Sequence, residues 1–253
     1  MMKRSLSMIR TDSRAALAGN YSVCFIALFF LFLADIAIGQ VMYLLPLPSA
    51  GGVFSILTDV LYSIPGSLVM TMLQAGFLFL CLNIARYGRP AFNDVFLAFR
   101  YDPVKAAALS LVIGLIDIIC SLPTGYALTD LLLSVSGLFY RGGTFSSVFR
   151  SLCYVALSAV ISLVLRVVFA YPFSQALLLY IDHQEYSATE CLAKSRSLMR
   201  GQIIRYLQLE LSFLGYLALS VISFGIGLIW VIPYINVSRA NFYMDLTGMY
   251  KPY

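Results

Sequence analysis

Long apolar stretches with almost no charged residues make up most of this chain, and they constrain its fold more than any other feature. A helix that crosses the hydrocarbon core of a bilayer needs about 20 apolar residues, because each residue advances it by about 1.5 Å across about 30 Å. Within that core the backbone polar groups must bond to each other, which a helix achieves within one segment. We therefore expect an all-α fold: a polytopic transmembrane helical bundle of about six spans, with short amphipathic helices at the interfaces. The predicted helices cover residues 21–45, 60–85, 104–122, 152–181, 206–224 and 228–245.

The composition places the chain, residues 1–253, in a single integral membrane domain. Of its residues 60% are hydrophobic and 11% are charged, whereas soluble domains average about 45–50% apolar and about 25% charged residues. Such a chain has too little polar surface to cover a water-soluble globule. The formal net charge is +5, and the positive residues fall between the apolar stretches, with residues 1–20 forming a basic segment before the first helix. This distribution is typical of topology determinants and of contacts with anionic lipid headgroups, and we expect no nucleic-acid binding.

The final apolar stretch, residues 206–237, is too long for one span without strong tilt. Gly225-Ile226-Gly227 interrupts it, and glycine readily adopts the backbone conformations that a tight turn needs. We interpret the stretch as a hairpin of two helices; one strongly tilted helix, giving five spans in total, is the alternative. The lysine and arginine distribution favours six spans, because then only Arg141 and Arg150 lie outside and both termini are cytoplasmic.

Two features are expected on the outer side of the membrane. Pro123 should end the third helix, since proline lacks the N–H that a helix interior requires. Between Leu128 and Phe139, apolar residues recur at helical spacing, which predicts a separate short helix on or in the outer surface. Cys120 and Cys153 approach this face, where a disulfide is geometrically allowed, although isolated cysteines more often behave as small buried apolar residues.

A basic segment before the last hairpin predicts an interfacial helix. Ser187 and Glu190 fit a capping box, in which the hydroxyl and the carboxylate each accept a hydrogen bond from a free N–H at the helix start. One helical face then carries Ala188, Cys191, Leu192, Ser195, Leu198 and Met199. The basic residues of the segment are Lys194, Arg196, Arg200 and Arg205. We expect them to contact anionic headgroups in the inner layer of the membrane; a solvated linker packed on the bundle is the alternative.

Four ionisable residues lie inside the apolar stretches: Asp35, Asp117, Arg166 and Glu210. Counting along the helices places both aspartates in the outer half of the bilayer, Arg166 near its middle and Glu210 in its inner half. A charge at the bilayer centre costs about 2.5–3.5 kcal/mol on insertion scales, so we expect these residues to find partners inside the bundle. One hypothesis is a polar cavity, lined by Arg166 and the aspartates, for a small anionic or zwitterionic ligand. The other is a structural ion pair of Arg166 with Asp117, while Asp35 and Glu210 reach headgroups by snorkelling.

Enzyme signatures are missing from the sequence. The single His183 cannot supply a multi-histidine metal site, and H-E-x-x-H, P-loop and G-x-S-x-G motifs do not occur. The five cysteines form no C-x-x-C pair. We therefore expect a non-enzymatic protein that holds no metal and no cofactor.

Two regions of the sequence carry a family resemblance. The C-terminal third contains Ser195-x-x-Leu198-Met199-x-Gly201, Leu211-Ser212-Phe213, Gly225-Ile226-Gly227-x-x-Trp230-x-x-Pro233-Tyr234 and Ala240-x-Phe242-Tyr243. The N-terminal region contains Arg14-Ala15-Ala16-Leu17-x-Gly19-Asn20-Tyr21. Together they resemble the bacterial integral-membrane family DUF975 over nearly the whole chain. The resemblance implies a bundle of about six spans in the bacterial inner membrane, without an assigned activity. That family also resembles the membrane part of some glycerophosphodiester phosphodiesterases, whose catalytic domain this sequence does not contain, so no chemistry transfers.

Two functions fit these features. The first is a non-enzymatic accessory or scaffold protein that binds membrane lipids, through anionic headgroups on the cytoplasmic side, or membrane-protein partners. The alternative is a transporter or permease for a small anionic or lipid-like solute, which would use the Arg166 and aspartate cavity. A polar cavity with Arg166 exposed in it favours the transporter, and a dry bundle with Arg166 paired favours the accessory protein.

Overall fold

The computed structural model describes residues 4–44, 53–100, 102–140 and 144–249, and within these ranges all regular secondary structure is helical. Within the described ranges, four stretches are long and apolar enough to cross a membrane: Tyr21–Val41, Ile64–Ala85, Pro103–Leu138 and Phe145–Asp182. They overlap the first four predicted spans. The all-α membrane fold expected from the sequence is therefore confirmed.

The helices follow one another with short connections. In chain order they are α1 (Leu6–Leu17), α2 (Tyr21–Leu44), α3 (Val53–Ala85), α4 (Leu97–Arg100), α5 (Pro103–Tyr140), α6 (Phe145–Leu165), α7 (Ala176–Asp182), α8 (Ala188–Met199), α9 (Ile203–Leu211), α10 (Leu214–Ile222) and α11 (Leu228–Thr247). A 3₁₀ turn at Phe92–Phe96 leads into α4. A π-helical turn at Arg166–Ala170 and a 3₁₀ turn at Tyr171–Phe173 connect α6 towards α7.

The third predicted helix does not end at Pro123. Helix α5 passes through this proline and continues to Tyr140, so the stripe from Leu128 onwards belongs to α5 and the expected separate outer helix is wrong. Proline is tolerated inside membrane helices because neighbouring polar groups compensate for the lost hydrogen bond. Beside Pro123, the Thr124 hydroxyl donates to the Ser162 hydroxyl of α6 at 2.8 Å, which holds the two helices together at this point.

The α5–α6 hairpin has a polar contact surface between its helices and an apolar exterior. The buried residues of α6 are Ser151, Ser158 and Ser162. Ser151 donates to Asp130 of α5 and also bonds the hydroxyl of Ser134. Hydroxyl hydrogen bonds and small side chains are the usual means by which membrane helices associate, because lipid is as apolar as any leucine.

The fourth predicted helix is interrupted around Pro172. Its helical path changes from α6 to the π turn, then to the 3₁₀ turn, and resumes at α7. The buried hydroxyl of Ser195 on α8 donates to the Pro172 carbonyl at 2.9 Å and accepts from the Gln175 N–H at 3.2 Å. The break therefore has its free backbone groups satisfied by a neighbouring helix.

The last hairpin turns where the sequence predicts. Phe224 and Gly225 have φ values of 53° and 84°, the left-handed conformation that permits the reversal between α10 and α11. The segment before the turn is two short helices, α9 and α10, separated at Ser212–Phe213. These helices and α11 are not among the four stretches long and apolar enough to cross, so a crossing by this hairpin stays a prediction.

Helix α11 lies in the core and packs most closely against α3 and α1. Its side chains Val237, Phe242 and Tyr243 are completely buried. Its polar residues also bond within the protein: the Asn241 amide donates to the buried Ser13 hydroxyl of α1 at 2.9 Å. Contact with protein, rather than with lipid, explains how this helix carries more polar residues than α2.

Candidate functional site

Several charged residues at one end of the bundle are engaged in internal ion pairs. We call this the basic end; it contains the start of α1 and α5 and the last turns of α3, α7 and α11. Arg86 donates to both carboxylate oxygens of Asp182 at 2.6 and 2.7 Å, and the Tyr243 hydroxyl donates to the same carboxylate at 3.0 Å. These bonds connect α3, α7 and α11.

Arg205 belongs to a second buried network at the basic end. Its guanidinium donates to Asp245 and to the Arg4 carbonyl, both at 2.6 Å. Arg4 in turn contacts Asp245 at 3.4 Å and also pairs with Asp12. The Asp245 side chain is 5% exposed. Arg205, grouped in the sequence with the headgroup-binding residues, is thus placed where it bonds protein atoms instead.

Helix α8 begins with the capping box that the sequence predicts. The Ser187 hydroxyl accepts from the Glu190 N–H, and the Glu190 carboxylate accepts from the Ser187 N–H at 2.7 Å. These hydrogen bonds stabilise the ionised form and lower the pKa of the Glu190 carboxyl. Cys191, Ser195 and Met199, all on the helical face identified in the sequence, are the buried residues of α8.

The two basic residues of α8 and its C-cap residue Arg200 differ in their surroundings. The Lys194 ammonium lies 3.2 Å from the centre of the Tyr186 ring, a cation–π contact. Arg196 and Arg200 are exposed. Among the residues that the structure describes, neither has an ion pair or a side-chain hydrogen bond. They are one helical turn apart, a spacing at which like charges repel.

Arg196 and Arg200 line a groove of about 540 Å³ at the junction of α8, α9 and the 3₁₀ turn after α6. The other lining residues are Pro172, Ala193, Ser197 and Ile203. The groove therefore combines two unpaired guanidinium groups with a hydroxyl and an apolar wall. Such a surface suits an anionic oxygen group attached to an apolar chain.

The structure brings Arg166 and Asp117 together across the α5–α6 hairpin. An Arg166 terminal nitrogen lies 3.1 Å from one Asp117 carboxylate oxygen, and the side chains are 43% and 58% exposed. The Arg166 Nε is buried without a hydrogen-bond partner. The two side chains thus share one close contact, and the Nε donor of Arg166 is not used in a hydrogen bond.

A cavity of about 430 Å³ adjoins Arg166 between α5 and α6. Its lining residues are Ser121, Thr124, Gly125, Leu128, Ala159, Ser162, Leu163 and Arg166. We call it the hairpin cleft. Three hydroxyls and one guanidinium supply its polar lining, and the exposed Gly125, Leu128, Ala159 and Leu163 lie towards the outside of the hairpin.

The other two intramembrane charges are placed apart from Arg166. Glu210 bonds Arg239 through both carboxylate oxygens, at 2.7 and 3.0 Å. Asp35 is exposed on α2 and forms no ion pair within the described residues. The sequence reasoning missed Arg239 as the Glu210 partner. The sequence does indicate this pairing. Glu210 lies fifteen residues before Gly225 and Arg239 lies fourteen residues after it, so the two residues are opposite each other if the chain turns back at Gly225.

The cysteines and the histidine form no metal-binding cluster within the described residues. All five cysteines are free thiols; Cys120 is buried and Cys153 is exposed. His183 lies 3.3 Å from Glu185 at the exposed connection between α7 and α8. In the part of the chain that the structure describes, no group of three His, Cys, Asp or Glu side chains is arranged to hold a metal ion.

Comparison with known proteins gives one match. A family profile described as "Protein of unknown function (DUF975)" matches residues 1–249. No curated protein and no solved structure is significantly similar to the chain.

Proposed function

Since the chain belongs to the DUF975 family, which brings no assigned activity, we propose from its geometry that it is a non-enzymatic membrane protein that binds anionic lipid headgroups. The observation that carries this proposal is the groove of Arg196 and Arg200. Both arginines are exposed and unpaired among the described residues, whereas Arg4, Arg86, Arg205 and Arg239 are all in ion pairs.

The placement of the groove supports a lipid ligand. Pro172, on its wall, lies within the apolar stretch Phe145–Asp182, and the groove brings Arg196 and Arg200, which follow that stretch in the sequence, next to Pro172. A headgroup phosphate can then approach the arginines while an acyl chain follows the apolar wall. An anion between Arg196 and Arg200 also removes their mutual repulsion, so binding should order this part of α8.

The orientation of the protein is part of the proposal. Both termini and the basic end face the cytoplasm of a bacterial cell, because positively charged connections are retained on that side of the inner membrane. The anionic lipids of the cytoplasmic leaflet then attract Arg196 and Arg200. A membrane-protein partner with an acidic segment is a further candidate occupant of the same groove.

The double variant Arg196→Gln/Arg200→Gln tests the proposal. Each basic residue near a membrane surface contributes about 1 kcal/mol to the binding of anionic lipid, so the double variant should bind roughly 30-fold more weakly. Native mass spectrometry of the purified protein, with phosphatidylglycerol added in steps, measures the bound fraction. The matched control for each single variant, Arg196→Gln and Arg200→Gln, is Lys194→Gln, which removes one positive charge from α8 outside the groove.

Unchanged phosphatidylglycerol binding by the double variant would contradict the proposal. So would an equal loss in Lys194→Gln, since it would mean that net charge, and not the groove, attracts the lipid. Raising the salt concentration should weaken binding of the unmodified protein far more than binding of the double variant.

A second candidate function is transport of a small anionic or lipid-like solute. The observation that favours it is the hairpin cleft, where a charged residue of an apolar stretch lines a cavity. Transport requires the cleft to be reached from both leaflets. In proteoliposomes, dithionite quenching of a fluorescent phospholipid should then go beyond the outer leaflet, and Arg166→Gln should abolish the excess.

A further inference from the structure

Two arginine–carboxylate pairs between helices differ in how many hydrogen bonds they form and in how exposed they are. Arg239 and Glu210 form two hydrogen bonds, which satisfies a guanidinium edge and both carboxylate oxygens. Arg166 and Asp117 share one contact at 3.1 Å, and both side chains are about half exposed. A purely structural pair in a low-dielectric environment is stable only with good geometry and satisfied lone pairs. The Arg166 pair lacks these features and has the hairpin cleft beside it.

The residues of the hairpin cleft supply hydrogen-bonding groups next to Arg166. The Thr124 hydroxyl donates to the Ser162 hydroxyl, which leaves the proton of Ser162 for another acceptor. Arg166 also begins the π-helical turn Arg166–Ala170, and such turns inside helices occur frequently at functional sites. The unused donors of Arg166 and Ser162 together suit an anionic oxygen group.

The charge balance of the site selects a neutral ligand. Arg166 and Asp117 together carry no net charge, so a simple anion at Arg166 would be repelled by the Asp117 carboxylate and would leave one negative charge uncompensated in an apolar region. A zwitterion avoids both costs, because its negative group faces Arg166 in the cleft and its positive group reaches Asp117, which contacts Arg166 and lies one helical turn before the cleft residue Ser121.

We propose that the hairpin cleft binds a zwitterion that carries an anionic oxygen group and a primary ammonium group, the chemistry of the phosphatidylethanolamine headgroup. The anionic oxygens accept from Arg166 and Ser162, and the ammonium donates to Asp117. Leu128 and Leu163, 45% and 38% exposed, form the apolar border along which an acyl chain can leave. The cavity volume of about 430 Å³ is within the range of small-ligand sites. This site is independent of the groove on α8.

Gly125 allows a test that leaves the ion pair intact. It lines the cleft, and a Cβ atom added to it would meet no atom within 4 Å. Gly125→Leu therefore introduces a bulky side chain at the cleft from a Cβ position that meets no neighbour. Gly137 lies on the same helix outside the cleft, with the same free space around it, so Gly137→Leu is the matched control.

The experiment is native mass spectrometry of the full chain released from nanodiscs with equal amounts of phosphatidylethanolamine, phosphatidylcholine and phosphatidylglycerol. The unmodified protein should retain phosphatidylethanolamine over phosphatidylcholine, whose quaternary ammonium cannot donate to Asp117. Gly125→Leu, Arg166→Gln and Asp117→Asn should each lower that retention about tenfold, and Gly137→Leu should keep it. Phosphatidylglycerol retention should not change in any of these variants.

Two results would overturn the proposal: phosphatidylethanolamine retention that survives in Gly125→Leu, or equal retention of ethanolamine and choline lipids by the unmodified protein. Arg196→Gln/Arg200→Gln should lower phosphatidylglycerol retention alone, so failure of one site is distinguished from failure of the other.

Competition with soluble phosphoethanolamine identifies the source of the ligand. Displacement of the lipid by millimolar phosphoethanolamine assigns the cleft to a free zwitterion, and retention of the lipid assigns it to a lipid headgroup.

Discussion

Charged residues in this protein differ chiefly in how completely their hydrogen-bonding groups are used. Asp245 accepts from Arg4 and Arg205 and is almost fully buried, whereas Arg196 and Arg200 have no partner within the described residues. A buried carboxylate with two partners stabilises the packing of α1, α9 and α11. An exposed guanidinium without a partner has its full binding capacity for an external anion.

At the residue scale, we predict that Asp245→Asn strongly destabilises the protein. The substitution leaves Arg205 as a buried charge without a compensating carboxylate and removes one of the two carboxylate partners of Arg4; breaking a buried pair in this way costs about 3–5 kcal/mol. Thermal unfolding in detergent, followed by circular dichroism, measures the effect. The control is Glu185→Gln, because the Glu185 carboxylate is 67% exposed beside His183 and its loss should change stability little. A melting temperature equal to that of the control would show that Asp245 does not hold the basic end together.

At Gly76, helix α3 lies very close to the backbone of the 3₁₀ turn before α4. A Cβ atom at Gly76 would lie 1.8 Å from the Val95 carbonyl oxygen of the 3₁₀ turn before α4. Since real Cβ atoms cannot approach a backbone atom so closely, α3 and this turn pack in their observed positions only because residue 76 has no side chain. The α5–α6 hairpin achieves close packing by another route, with serines at its contact surface.

At the element scale, we expect Gly76→Ala to destabilise the protein by about 1–3 kcal/mol or more, because the 3₁₀ turn must move away from α3. Gly39→Ala on α2 is the control, since a Cβ there meets nothing within 4 Å and alanine favours the helix. Chemical unfolding in mixed micelles compares the two variants. Equal stability of Gly76→Ala and Gly39→Ala would show that the turn adapts freely.

The whole molecule has two differently built parts. One is the core of α1, α3 and α11, with the basic end closed by ion pairs. The other is the α5–α6 hairpin, in which α5 alone, with 38 residues, is about 57 Å long. That length exceeds the hydrocarbon thickness of about 30 Å, so the hairpin must tilt or extend beyond the bilayer.

At the scale of the molecule, labelling of single cysteines by a membrane-impermeant maleimide tests the orientation and the number of spans. Thr144→Cys at the hairpin tip should react in intact cells, and Glu185→Cys at the basic end should react only after lysis. Ile226→Cys in the last turn should react in intact cells if α9–α11 crosses the membrane. Cys153→Ser provides the background, since Cys153 is the exposed native thiol. Labelling of Glu185→Cys in intact cells would reverse the proposed orientation.

The sequence by itself determined the helical membrane fold, the turn at Gly225 and the capping box at Ser187. These depend on local composition and spacing, because apolar residues must leave water and backbone groups must bond within a segment. The tertiary structure alone decided that α5 continues through Pro123, that Glu210 pairs with Arg239, and that Arg205 bonds Asp245. Such outcomes depend on how far each helix rotates and which neighbour it meets, and local spacing carries little information about either. The hairpin cleft is likewise a consequence of packing, since it exists only where two helices fail to fill the space between them.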